Sequence, residues 1–237
     1  MNLTWNPLWV NPFESPWSII EKIKYSNAIT ARDLIRKYGT RSSGGKLVNQ
    51  WNGLLKFNGI DHSLLSQSIG TDYSKHSELY LNKMVGMFPE SGTDYLINKE
   101  LYFCDDCLSM GYHSLLHQFV FATKCPFHLS PLRNTCRNCG NSPSCDRHDH
   151  YSKAGFQCSC SNYYTKPKFT SMSDWQLDLT INDEIITKWI SMDSSTFNRI
   201  KNSYFFIPSL ITMSNPLQFI IRFGTRNDAE MCIGSDC

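Results

Sequence analysis

Between residues 104 and 160 the chain repeats one short pattern of soft metal donors. Cys104 and Cys107 form C-x2-C, and Cys125 and His128 follow as C-P-F-H after seventeen intervening residues. Cys136 and Cys139 form another C-x2-C, and after eighteen more residues Cys158 and Cys160 close the series as C-x-C. A tight pair places two donors about one Zn–S bond length (~2.3 Å) from a shared point, and a distant pair completes a tetrahedron. Two sets of four donors therefore fit two zinc ions. Cys104, Cys107, Cys125 and His128 would hold one, and Cys136, Cys139, Cys158 and Cys160 the other. Four protein ligands leave no open position for water or substrate, so both ions are expected to be structural. The second set encloses a polar loop, Gly140 to Gln157, which also carries Cys145, His148 and His150. Any of these three is an alternative ligand for that set.

Eight of the ten cysteines lie in this region. The opening Met1-Asn2-Leu3-Thr4-Trp5-Asn6-Pro7 has neither the basic nor the apolar part of a secretory signal. No run approaches the ~18 apolar residues of a membrane span. Reduced, metal-bound cysteines in a cytoplasmic protein are thus expected over a disulfide framework. The length, 237 residues with 41% hydrophobic, allows two modest domains or one domain with appendages.

Net charge is only +2, but it is uneven. From Lys22 to Lys56 there are eight Lys/Arg against one acid, Asp33; from Lys124 to Lys168 there are seven against two, Asp146 and Asp149. After Phe169 acids outnumber bases eight to five. Two basic stretches are the footprint of a nucleic-acid contact, or else of an ordinary solvated surface.

Ser15-Pro16 reads as a helix start, with Ser as N-cap and Pro at the first helical position, and the helix should stop near Asn27. Thr30, with Asp33 three residues on, caps a second helix that ends at Tyr38 before Gly39. On that helix Leu34, Ile35 and Tyr38 share one face, while Arg32 and Arg36 share the opposite one. A helix-turn-helix over 15–39 and an ordinary α-hairpin fit this pattern equally. Gly39 to Lys46 resembles a phosphate loop, but its spacing is one residue too long and Leu47 replaces the required Ser/Thr, so that reading fails.

Residues 51–90 read as two or three short helices, one around Lys75–Val85. A short strand is expected over 98–103 and a helix within 111–124. Another strand is expected over 161–165, and a helix between Asp174 and Ile190 broken around Asn182. His113 and His117 have the i, i+4 spacing of a metalloprotease, but Ser114 stands where the general base must be, so they read as core or surface histidines, with alternative metal ligation the lesser reading. The expected fold is mainly α with small β. A helical, helix-turn-helix-like domain spans 1–95, a tandem zinc-ribbon or zinc-finger domain spans 96–165, and a partly helical, shortened C-terminal segment spans 166–237.

The run Cys104-Asp-Asp-Cys107-Leu108, Gly111-Tyr112-His113, Cys125-Pro126-Phe127-His128, Pro131-Leu132 and Cys136-Arg-Asn-Cys139-Gly140 resembles the TniQ/TnsD family of bacterial transposition proteins. The closing Gly155-Phe156-Gln157-Cys158-Ser159-Cys160 is also similar to that family. So is the opening Phe13-Glu14-Ser15-Pro16-Trp17, with the segment from Asn27 to Leu34 and Gly39. The resemblance spans roughly residues 10–165. It implies a non-enzymatic adaptor that recognises a target, as DNA or through a guide-RNA complex, and connects it to a transposon's AAA+ ATPase and transposase. Arg32, Arg36, Lys37 and Arg41 would then be phosphate contacts. A stand-alone DNA-binding regulator or protein-interaction module is the alternative. A metalloenzyme would need an open zinc position and an acid such as Asp105 or Asp149 as base.

Overall fold

The computed structural model describes residues 3–40, 59–88, 95–142, 154–164, 166–203, 205 and 207–225. Within them the fold is mainly helical with little strand. Arg41, Cys145, His148, Asp149 and His150 lie outside the described residues, as do residues 41–58, with the start of the helical region expected over 51–90, and residues 143–153.

Helix α1 spans Pro16–Asn27, with the Ser15 side chain accepting from the Ser18 N–H and Pro16 at the first turn. It ends where Ala28 takes a left-handed conformation, φ 50°. Helix α2 spans Ala31–Tyr38 and opens with a complete capping box between Thr30 and Asp33. Gly39 is not left-handed (φ −70°); its role is steric, because a Cβ there would sit 2.4 Å from the Ile35 carbonyl oxygen. Gly39 bridges to Ile60, and the chain enters α3, His62–Ile69, and then α4, Tyr73–Val85. Ile19, Ile20 and Ile23 of α1 meet Leu34 and Tyr38 of α2, the bridge residue Ile60, Leu65 and Ile69 of α3, and Tyr73 in one hydrophobic cluster. Complete burial of each aliphatic side chain contributes about 1.5–3 kcal/mol.

The second and larger cluster is built around the cysteines. It gathers Phe13 and Trp17, the end of α4, most of the apolar residues from Leu96 to Tyr164, and Ile186, Trp189, Ile200 and Ile220 from beyond them. Short helix α5, Asp105–Ser109, lies inside the first C-x2-C. After a 3-10 turn at Met172–Trp175, the described residues form four further helices, α6 (Glu184–Ile190), α7 (Ser194–Lys201), α8 (Ile207–Thr212) and α9 (Pro216–Thr225). Helix α9 packs on α7 and α6, and the Trp189 indole N–H donates to the Met84 carbonyl at 3.0 Å, joining α6 to α4. Among the described residues no helix is long and apolar enough to cross a membrane.

Four local expectations fail in whole or in part. Residues 98–103 form no strand; Phe103 makes one bridge with Arg133, and the chain then turns into α5 to return Cys107 toward Cys104. Residues 111–124 hold only a 3-10 turn, Leu115–Gln118. The His113 carbonyl accepts from Ser15 N, and Leu115 N donates to the Phe13 carbonyl, so these groups serve the entrance of α1. Among the described residues 161–164 form no strand beyond a single bridge, Gln157 to Tyr163, and Thr165 lies outside the described residues. Of the helix expected from Asp174 to Ile190 with a break around Asn182, the part beyond the break forms as Glu184–Ile190, and the part before it is only the 3-10 turn Met172–Trp175; at the break Asn182 N and Asp183 N both donate to the Pro126 carbonyl.

Candidate metal centres

Three of the donor pairs sit on the same kind of turn. In the second pair, Leu129 N donates to the Cys125 carbonyl and Cys125 N to the Ser130 carbonyl, both at 2.8 Å. In the third, Gly140 N donates to Cys136 O at 2.9 Å and Cys136 N to Asn141 O at 2.8 Å. The C-x-C pair repeats this one residue shorter: Ser161 N to Cys158 O and Cys158 N to Asn162 O. Each turn closes through a left-handed residue, Leu129 (φ 56°), Gly140 (φ 73°) or Ser161 (φ 68°). Glycine adopts that conformation freely; leucine and serine do so at a cost of about 1–2 kcal/mol.

These turns converge as the spacing predicts. Cys104, Cys107, Cys125 and His128 bring four ligand atoms within 4.8 Å of one another, and Cys136, Cys139, Cys158 and Cys160 bring four more. In the first set Cys107 and Cys125 sulfurs are 3.6 Å apart, and the His128 Nδ1 lies 3.6, 3.3 and 3.6 Å from Cys104, Cys107 and Cys125. In the second, Cys136 and Cys160 sulfurs are 3.9 Å apart and Cys139 and Cys158 3.6 Å. A tetrahedron with ~2.3 Å metal–sulfur and ~2.0 Å metal–nitrogen bonds has edges of about 3.8 and 3.5 Å. The donors therefore fit one metal ion per set. The seven cysteines are free thiols, far from the ~2.05 Å of a disulfide.

Neighbouring thiols within each set shift one another's ionisation. Hydrogen bonds with Cys107 and Cys125 pull the Cys104 thiol well down, whereas burial pushes Cys107 far up. The hydrogen bond with Cys104 brings Cys125 up to about 11. In the second set a backbone hydrogen bond from Asn162 brings Cys160 down to about 6. At Cys139 a backbone hydrogen bond from Asn141 acts downward, but burial and its cysteine neighbours together bring the thiol up to about 12. In each set one thiol is thus held down while a neighbour is held up.

The surroundings of the two sets differ. Cys104, Cys107 and Cys125 are buried, and only His128 of the first set is exposed; Cys139 and Cys160 of the second are half-exposed. Ser130 Oγ lies 3.1 Å from the Cys104 sulfur, and His117 Nε2 lies 3.7 and 3.5 Å from those of Cys107 and Cys125. Asn138 and Asn162 offer amide donors to Cys160 at 3.6 and 3.7 Å. Asp105 and Arg133 tie the sets together. The Arg133 Nε donates to Asp105 at 2.7 Å, its Nη2 reaches the Tyr164 carbonyl at 2.8 Å, and its guanidinium covers the Phe103 ring at 4.5 Å. Nothing in the spacing marks Arg133 or Ser130. His117 carried a signal in its i, i+4 relation to His113, but that spacing does not reveal what it faces.

His113 and His117 are both core residues, 0% exposed. Burial holds His113 down to about 4 and His117 well below the ordinary imidazole range. His113 joins the first set to α1: its Nδ1 lies 2.7 Å from Ser15 Oγ, and its Nε2 lies 2.8 Å from the Tyr102 carbonyl.

Of the basic candidates, Arg32 and Arg36 are exposed on α2, opposite buried Leu34 and Tyr38. Arg36 pairs with Asp33 at 3.1 Å, and the half-buried Lys37 lies over the Tyr38 ring at 5.0 Å. Two other cations of that basic stretch are not surface groups. Lys22 is fully buried against Glu14 at 2.8 Å, and Lys24 against Glu21 at 2.9 Å. In the other basic stretch Arg133 and Arg137 both meet Asp105, Lys168 meets Asp106, and Lys124 approaches Asp183 at 3.9 Å. Compared with models of known protein families and with curated proteins, the chain matches none.

Proposed function

We propose that the chain is a zinc-stabilised, non-enzymatic adaptor of the TniQ/TnsD kind, binding DNA and transposition proteins to select an insertion site. The observation that carries this reading is the pair of closed four-donor sets, each matching a tetrahedral cation. Three thiolates with an imidazole, and four thiolates, are the donor sets of structural zinc, with no ligand position left for substrate. Metal there holds a scaffold, and the scaffold presents α2. Arg32 and Arg36, with Lys37 beside them, are the DNA contacts in this reading, and the AAA+ ATPase or transposase is the protein partner.

A stand-alone protein-interaction module is the second reading. It is favoured by a groove between Val120–Leu129, the start of α6 and the α8–α9 junction, whose rim includes exposed Leu129, Ile211 and Met213.

The test is duplex DNA binding at several salt concentrations, for wild type and for Arg32→Glu with Arg36→Glu. Both side chains point away from the core, so the double variant should fold with near-unchanged stability. Losing two phosphate contacts should reduce the salt slope of log K by about two, alike on all sequences. A folded double variant with wild-type affinity and slope would remove α2 from the interface and favour the interaction module.

A further inference from the structure

The first centre holds one more residue than its four donors. His117 is fully buried, and its Nε2 points between the Cys107 and Cys125 sulfurs, at 3.7 and 3.5 Å. The other ring nitrogen settles its role. His117 Nδ1 accepts the Ser114 backbone N–H at 3.4 Å, within the cap of the Leu115–Gln118 turn. A nitrogen that accepts carries no proton, so the proton of the neutral ring sits on Nε2. An Nε2–H cannot ligate a metal, but it can donate to a thiolate. Edge contacts with His113 at 5.1 Å and Phe127 at 6.3 Å hold the ring in this orientation.

We propose that His117 is a non-ligating member of the first metal centre, donating one shared hydrogen bond to the Cys107 and Cys125 thiolates and thereby setting the affinity of that centre. This rests on the zinc reading given above. Three thiolates and a neutral imidazole around a divalent ion leave a net charge of about −1 in a buried place, which is costly without donors. Ser130 Oγ faces Cys104 at 3.1 Å, so with His117 every sulfur of the set has a side-chain donor. Groups that hydrogen-bond to metal ligands typically change metal affinity by about 10–100-fold when removed. His117 is thus a positioning residue that leaves the ligand role to His128, whose Nδ1 lies within 3.6 Å of all three sulfurs.

The test combines a spectrum of the wild-type protein with zinc competition. Long-range 1H–15N correlation on the zinc-loaded chain should show His117 protonated at Nε2 and bare at Nδ1. Titration with a chromophoric chelator should show His117→Phe holding zinc at the first centre about 10–100-fold more weakly, with the second centre unchanged. His117→Gln, which keeps an N–H donor, should recover most of the loss, while His128→Ala should lose the first ion. A His117 protonated at Nδ1, or a metal-bound Nε2, overturns the proposal even if every variant fails to fold. Wild-type affinity in His117→Phe, with two ions bound by the wild type, overturns it alone. A wild-type chain that binds no zinc overturns the metal reading and this inference with it.

Discussion

Lys22 shows how far a residue's role departs from its type. Its ammonium is fully buried, donates to the Trp9 carbonyl and pairs with Glu14, which also accepts from Asn11 and Ser18. Asn11 in turn donates to the Trp175 carbonyl and accepts from Leu177 N, so the network clamps the N-terminal segment, α1 and the chain beyond residue 170. Burial lowers the Lys22 pKa, and Glu14 opposes that shift. Removing one partner of a buried pair leaves the other charged and unpaired, at a cost of about 3–5 kcal/mol. Lys22→Met should therefore lower the unfolding free energy by that amount in denaturant titration. A loss below about 0.5 kcal/mol, typical of a surface site, would show that the pair contributes nothing.

At the scale of the element, α2 is a helix that its own sequence specifies. Thr30 Oγ1 accepts from Asp33 N at 3.2 Å, and Thr30 N donates to the Asp33 carboxylate at 3.1 Å. Thr30→Ala removes half of that box and should destabilise the protein by about 1 kcal/mol. Amide exchange should quicken first at the start of α2, and the metal content should stay the same. Loss of metal from this variant would mean that α2 and the metal centres are coupled more tightly than their separate hydrophobic clusters imply. Between residues 111 and 124 local preference loses instead. The backbone there serves α1, and Ser15, Ser18 and His113 exchange hydrogen bonds across about a hundred positions of sequence.

For the whole molecule, the larger hydrophobic cluster runs from Phe13 to Ile220 and contains Cys104, Cys107, Cys125, Cys136 and Cys158. A structural zinc contributes ~10–16 kcal/mol of apparent binding energy in small fingers, as much as the net stability of a typical domain. Purified protein should hold two zinc ions, and a strong chelator should abolish its near-ultraviolet circular dichroism. The second centre should empty first under native mass spectrometry, because Cys139 and Cys160 are half-exposed while the sulfurs of the first set are buried. Zinc requires thiolates, so falling pH should release it, with protons replacing the ion on groups such as Cys125 and Cys139, held up to about 11 and 12. Retention of tertiary dichroism after both ions leave, or earlier loss from the first centre, would contradict this order.

What the sequence by itself determined is local. The pairing of the donors follows from spacing, because a tetrahedral site tolerates few separations within a pair, although spacing alone left Cys145, His148 and His150 as alternatives in the second set. The caps of α1 and α2 follow from Ser15, Pro16, Thr30 and Asp33, because a cap is made within one turn. Tertiary structure decided the rest through groups distant in sequence. Charge read along a window made Lys22 and Lys24 part of a basic face, yet they are buried against Glu14 and Glu21. Arg133 and Arg137 are answered by Asp105, about thirty positions away and outside their own window. The helix expected within 111–124 gave way because its backbone groups serve the entrance of α1, and the strand expected from Ser161 gave way to the turn that Cys158 opens. By spacing His117 reads as a core or surface histidine or, less readily, a ligand, and folding places it between two sulfurs. Its tautomer, and with it its role as donor or ligand, is decided by the Ser114 N–H on its far side.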